Sequence, residues 1–118
     1  MQPALADGLF LFATFPAGTE PALGLQPLMT FREAEGMTLI LSADEAAAAG
    51  IGGIFPCRMI TLRVHSSLAA VGLMAAVTGR LAAAGIAVNP VSAFHHDHLF
   101  VPADRAGEAM AILQDLAR

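Results

Sequence analysis

The segment Arg58 to His65 (RMITLRVH) alternates strictly, with Ile60, Leu62 and Val64 apolar and Thr61, Arg63 and His65 polar. A period of two puts each set on its own face of a β-strand, so this segment is a strand with one buried face. After it the apolar period lengthens. Val71, Met74, Val77 and Leu81 recur at helical spacing, which predicts a helix over about Leu68 to Ala84, ended by Gly85. Strands follow at about Ala87 to Phe94 and His98 to Val101, joined by a tight turn near His96 and Asp97. Pro90 has no amide hydrogen for a ladder, so its strand belongs at a sheet edge or carries a bulge. Pro102 opens a last helix on which Ala106, Ala109, Met110, Leu113 and Leu116 share one face.

The order from residue 58 is therefore β-α-β-β-α. One more strand completes the split βαβ, ferredoxin-like arrangement, an α+β sheet with its helices mainly on one face. The first half supplies candidates. Leu9 to Phe15 (LFLFATF) is apolar on both faces and suits a central strand. A Gly/Pro-rich loop runs from Pro16 to Pro27. Strands at Leu28 to Arg32 and Met37 to Leu41 then flank a hairpin turn, Glu33 to Gly36. Ser42 to Glu45 reads as a capping box opening a short alanine helix, which Gly50 ends. The Gly-rich connector Ile51 to Pro56 divides the chain into residues 1–56 and 57–118, two small units in tandem or sharing a sheet.

Composition narrows the function. Ten carboxylates against six arginines, with no lysine and a net charge of −4, leave no basic cluster for nucleic acid or an anionic membrane surface. No apolar run is long enough to span a bilayer, and Met1 to Asp7 lacks the basic start and apolar stretch of a secretory leader. The single cysteine, Cys57, cannot form an internal disulfide, so a reducing cytoplasmic compartment is expected. With 56% hydrophobic and only 14% charged residues, the chain is expected to bury surface as a homodimer or higher homo-oligomer.

Several motifs resemble a known group. Val71 to Val77 (VGLMAAV) followed by Leu81 to Ile86 (LAAAGI) resembles the first helix of ACT domains. Nearly the whole chain is similar to small free-standing bacterial ACT-domain proteins of uncharacterised function. The likeness rests on Thr30 to Gly36 (TFREAEG), Ile60 to Leu68 (ITLRVHSSL) and Phe94 to Pro102 (FHHDHLFVP). The group in turn resembles the ACT regions of aspartate kinases, though no kinase domain is present in the sequence. In such proteins Met1 to Leu5 reads as the tail of an upstream helix. The resemblance implies two ACT-like units and a non-catalytic, regulatory role in binding a small effector such as an amino acid, with no cofactor.

The effector candidates lie where a strand end feeds a helix start, because unpaired amides and the positive end of the helix dipole suit a carboxylate there. These are His65, Ser66, Ser67 and Gly72, with Asn89 on the adjoining strand added by the resemblance. The plainer reading makes the serines helix caps and Gly72 a packing residue. Arg32 and Glu33 could contact a zwitterion, or form a solvated strand end. His96, Asp97 and His98 could add to the effector site. In an extended strand His96 and His98 would share a face, and with His95 nearby they raise the alternative of a metal-binding protein, although no metal is expected from so few converging ligands. A structural or interaction module without a ligand is the other alternative. Cys57 lacks a surrounding nucleophile signature and reads as an unreactive, partly buried thiol.

Overall fold

The computed structural model describes residues 1–19, 24–63 and 68–118. The elements run β1 (Gln2–Leu5), β2 (Phe10–Pro16), β3 (Met29–Arg32), β4 (Gly36–Ser42), α1 (Ala43–Ala48), β5 (Ile54–Arg63), α2 (Leu73–Ala83), β6 (Asn89–Ser92), β7 (Asp97–Pro102), a 3-10 turn (Ala103–Arg105) and α3 (Ala106–Leu116). They group into two units, Gly8–Pro56 and a second made of Met1–Asp7 with Cys57–Arg118.

The second unit has the β-α-β-β-α order read from the sequence, and its completing strand comes from the other end of the chain. β1 pairs antiparallel with β5, Gln2 opposite Arg63 and Leu5 opposite Ile60. β7 pairs with the other side of β5, Ile60 opposite Leu99, and β6 pairs with β7. The order is thus β1-β5-β7-β6, which leaves Pro90 on an edge strand. Met1 to Leu5, expected as the tail of a helix, is instead this strand. An open edge of β5 offers this segment ready-made ladder partners.

Ile60 and Leu62 of β5 and Leu99 and Val101 of β7 form the inner face of this sheet, with Val77 and Leu81 of α2 and Ala109 and Leu113 of α3 packed on it. Both helices therefore lie on one face. Each fully buried aliphatic side chain here contributes about 1.5–3 kcal/mol. α2 begins at Leu73, five residues later than the periodicity predicts, because Gly72 at φ 100° stands outside helical space. Val71 drops out of the apolar stripe and is 98% exposed, and Leu73 packs on the core in its place. The helix ends in a Schellman motif: the Gly85 amide donates to the Ala82 carbonyl (2.9 Å) and the Ile86 amide to that of Leu81 (3.0 Å). Arg105 donates to the Ala84 carbonyl at 3.1 Å, a cation at the negative end of the helix. Pro102 closes β7, and the 3-10 turn intervenes before α3.

In the first unit β4 is the middle strand. It pairs with β2 from Phe10 opposite Ser42 to Pro16 opposite Gly36, and with β3 from Met29 opposite Ile40 to Arg32 opposite Met37. Ala13, Leu39, Leu41 and Ala46 form its core. Ser42 caps α1 as expected, accepting from the Glu45 amide at 3.1 Å. The reciprocal half of the capping box is missing, because Glu45 Oε2 accepts from the Gln26 amide at 2.9 Å instead. α1 ends as α2 does, with Gly50 donating to Ala47 (3.2 Å) and Ile51 to Ala46 (2.8 Å). β5 already begins at Ile54, so the connector is shorter than the stretch to Pro56 that the glycines suggest.

The β3–β4 hairpin turns in two residues: the Glu33 amide donates to the Gly36 carbonyl (2.8 Å) and the Gly36 amide to that of Glu33 (3.2 Å). Gly36 is demanded by close approach, since a Cβ there would stand 2.1 Å from the Phe15 carbonyl oxygen. Gly36→Ala is expected to cost roughly 3 kcal/mol or more and lower the melting temperature by about 10 °C. Gly50→Ala, where φ is 68° and a Cβ meets nothing within 4 Å, is expected to cost only about 1–2 kcal/mol.

Candidate functional site

The β6–β7 hairpin organises the candidate site. Ser92 stands opposite Asp97 in the ladder, and the Ala93 amide donates to the His96 carbonyl at 3.0 Å, closing a two-residue loop of Phe94 and His95. The turn thus sits just before the position expected from His96 and Asp97. His96 closes it, and His98 lies two residues on within β7, with both imidazoles on the side of the sheet that carries Thr61. Their ring centroids are 6.3 Å apart and their planes nearly perpendicular at 89°. His98 Nδ1 lies 2.9 Å from Thr61 Oγ1 across the β5–β7 ladder. Burial, and then the neighbouring charge of His96, hold the His98 pKa below its ordinary value, with Asp97 opposing. Among the described residues no three His, Cys, Asp or Glu side chains gather as metal ligands would.

A cavity of about 70 Å³ lies between this hairpin and the segment leading into α2, lined by Ser92, Ala93, His96 and Asp97 on one side and by Leu68, Ala70, Leu73 and Met74 on the other. Its polar groups are a hydroxyl, an imidazole and a carboxylate set among apolar side chains, the makeup of a small-ligand site. His96 also borders a wider cleft of about 490 Å³ with Ala4, Leu5, Ala6, Thr61 and Arg63. The Nδ1 of His96 is buried and has no hydrogen-bond partner among the described residues.

The predicted residues distribute unevenly around this geometry. His96 and Asp97 line the cavity. Gly72 forms the cap of α2 between lining residues, and a Cβ there meets nothing within 4 Å, so its backbone conformation and not tight packing selects glycine. Asn89 is exposed at the start of β6 and does not line the cavity. His65, Ser66 and Ser67 lie outside the described residues. Arg32 and Glu33 are brought together in the first unit, in a separate cavity of about 270 Å³ with Pro16, Ala17, Gly18, Thr19, Gly36 and Met37. Sequence reasoning missed Ser92 and Ala93, which become site residues only through the hairpin register, and assigned Met74 to the core alone. Cys57 is fully buried, and burial pushes its thiol up to about 11, far from the range of a nucleophile at neutral pH.

Two ACT-domain family models match the chain, one over residues 1–58 and one over residues 54–115. A protein of unknown function from Vibrio cholerae is 42% identical, with 95% of this chain and 86% of that one covered at a TM-score of 0.85. The chain belongs to the ACT-domain family. A protein from Agrobacterium tumefaciens shares the fold at 17% identity and a TM-score of 0.81, over 97% of this chain and 87% of that one. Aspartokinase alpha and beta subunits share it at 10% identity and a TM-score of 0.69, over 98% and 96%. Among functionally curated proteins no match is found. The fold is thus the ferredoxin-like ACT fold, with two ACT domains in tandem, and ACT domains are in general regulatory, ligand-binding modules. Among the described residues no helix is long and apolar enough to cross a membrane.

The buried groups give two expectations. Unfolded, His98 takes up its proton near pH 6.5, and folded only at lower pH, so stability is lost as pH falls below 6.5. Melting temperature followed from about pH 7 down to about pH 5 should fall, and fall less steeply in His98→Gln. Cys57 should resist thiol reagents at about pH 8 until the chain is unfolded by denaturant.

Proposed function

We propose that this chain is a non-catalytic regulatory module that binds a small effector, an amino acid or a molecule of similar size, in its second unit. The observation that carries this reading is the cavity where the segment leading into α2 meets the β6–β7 hairpin, with Ser92, His96 and Asp97 among its lining residues. The approach to a helix N-terminus suits a carboxylate, and Asp97 suits an ammonium group. Its volume admits only a few non-hydrogen atoms, so the ligand is small or its remainder projects outward. His65, Ser66 and Ser67, which immediately precede this segment, belong to the proposed site. Asn89 is at most peripheral to it. The chain is read as two units that divide near Pro56, with residues 1–7 grouped with the later one.

A structural or interaction module is the second reading. It is favoured by the apolar side chains Leu68 (69% exposed), Val71 (98%) and Phe94 (80%) on the segments that form the cavity. These side chains also suit a homodimer or higher assembly, and a single buried cysteine suits a reducing cytoplasm.

A thermal-shift screen against the twenty amino acids, nucleotides and divalent metals separates these readings. A ligand at 100 times its Kd raises stability by about 2.7 kcal/mol, a plain shift for a domain of this size. The shift is expected with a small amino acid, is expected to disappear in Asp97→Ala and is expected to survive in Asn89→Ala. Silence across the panel with a stable oligomer in light scattering would select the interaction module instead.

A further inference from the structure

We infer that the first unit holds a second ligand site, one that takes a small zwitterion between Arg32 and Glu33. It goes beyond the reading above and does not depend on the first cavity being occupied.

The two units place their cavities at the same point of their topology. In the second unit the hairpin residues that line the cavity are Ser92, Ala93, His96 and Asp97. In the first unit they are Arg32, Glu33, Gly36 and Met37. Both hairpins turn in two residues, with Ala93 bonded to His96 and Glu33 bonded to Gly36, and the outer pairs are Ser92 opposite Asp97 and Arg32 opposite Met37. The four lining positions therefore correspond one to one by register. The opposite wall corresponds as well, since Leu68 and Ala70 follow β5 and Ala17, Gly18 and Thr19 follow β2.

The chemistry at the shared positions differs. Where the second unit has Ser92 and Ala93, the first has a guanidinium and a carboxylate. Arg32 has no hydrogen-bond or ion-pair partner among the described residues, and does not pair with Glu33 beside it. Glu33 is held in place by the Thr38 hydroxyl, which donates to its Oε1, so the carboxylate is oriented without being neutralised. A free planar cation and a braced anion on one wall match a ligand carrying its own carboxylate and ammonium. The volume of about 270 Å³ is nearly four times that of the first cavity and accepts a larger ligand.

Isothermal titration of the full chain tests this, with free L-amino acids, β-alanine and taurine as probes. Arg32, Glu33 and Asp97 lie at the surface or partly so, and unchanged ligand-free melting would confirm that their variants fold. At least one probe is expected to bind, at least tenfold more weakly to Arg32→Gln and to Glu33→Gln, and within twofold of the parent to Asp104→Asn, an exposed carboxylate that lines neither cavity. The N-acetyl and amide derivatives of that probe, each lacking one charge, are expected to lose binding to a similar degree. Binding weakened by Asp97→Asn but indifferent to Arg32→Gln would overturn this site while leaving the first standing. Failure of every probe to bind the parent chain would overturn it outright.

Discussion

The antiparallel pairing of Gln2–Leu5 with Ile60–Arg63 is the interaction on which the second unit depends. It puts a partner on each side of β5, so that Ile60 lies between Leu5 and Leu99 and Thr61 between Ala4 and His98. A strand held on both edges has its register fixed from two directions. A one-residue slip would carry Ile60 and Leu62 from the core face to the other face. The pairing also links residues nearly sixty positions apart, a long-range contact whose loop-closure cost must be met before the sheet is complete.

Around that frame the two units repeat a device more than they repeat a sequence. Each has a two-residue hairpin whose closing residues sit beside a segment that follows β2 in one unit and β5 in the other. Each ends its alanine-rich helix with Ala-Gly-Ile in a Schellman motif, Ala49-Gly50-Ile51 and Ala84-Gly85-Ile86, and the isoleucine after each turn packs on the core of its own unit. What varies is the chemistry at equivalent places. Gly36 admits the Phe15 carbonyl at a distance no side chain tolerates, whereas His96, at the corresponding position, presents an imidazole.

The apolar periods carried most of the fold. The alternation of Ile60 and Leu62, and the shared face of Ala106, Ala109 and Leu113, are buried as read, because burial of one face is what such periods encode. The failures have local causes. Val71 matched a helical spacing, yet Gly72 just after it adopts a conformation that starts the helix later. Glu45 had the right spacing for a capping box but found a backbone amide at Gln26, far along the chain. Residue type alone singled out His96, Asp97, Arg32 and Glu33, which line the two cavities. It did not single out Ser92 and Ala93, which line theirs by standing opposite Asp97 and His96.

Beyond the first residues, the sequence by itself determined the main element types, the ferredoxin-like class and the hairpins, since periodicity, proline and glycine act over a few residues. The residues that carry the family likeness were also legible there. Only the tertiary structure decided that the missing strand of the second unit is the start of the chain, because pairing of β-strands is set by which edges remain open and not by nearness in sequence. It alone decided that Arg32 with Glu33, and His96 with Asp97, each face a cavity. Hairpin register and the path of the chain between distant elements place those side chains, and neither is written in any short stretch of residues.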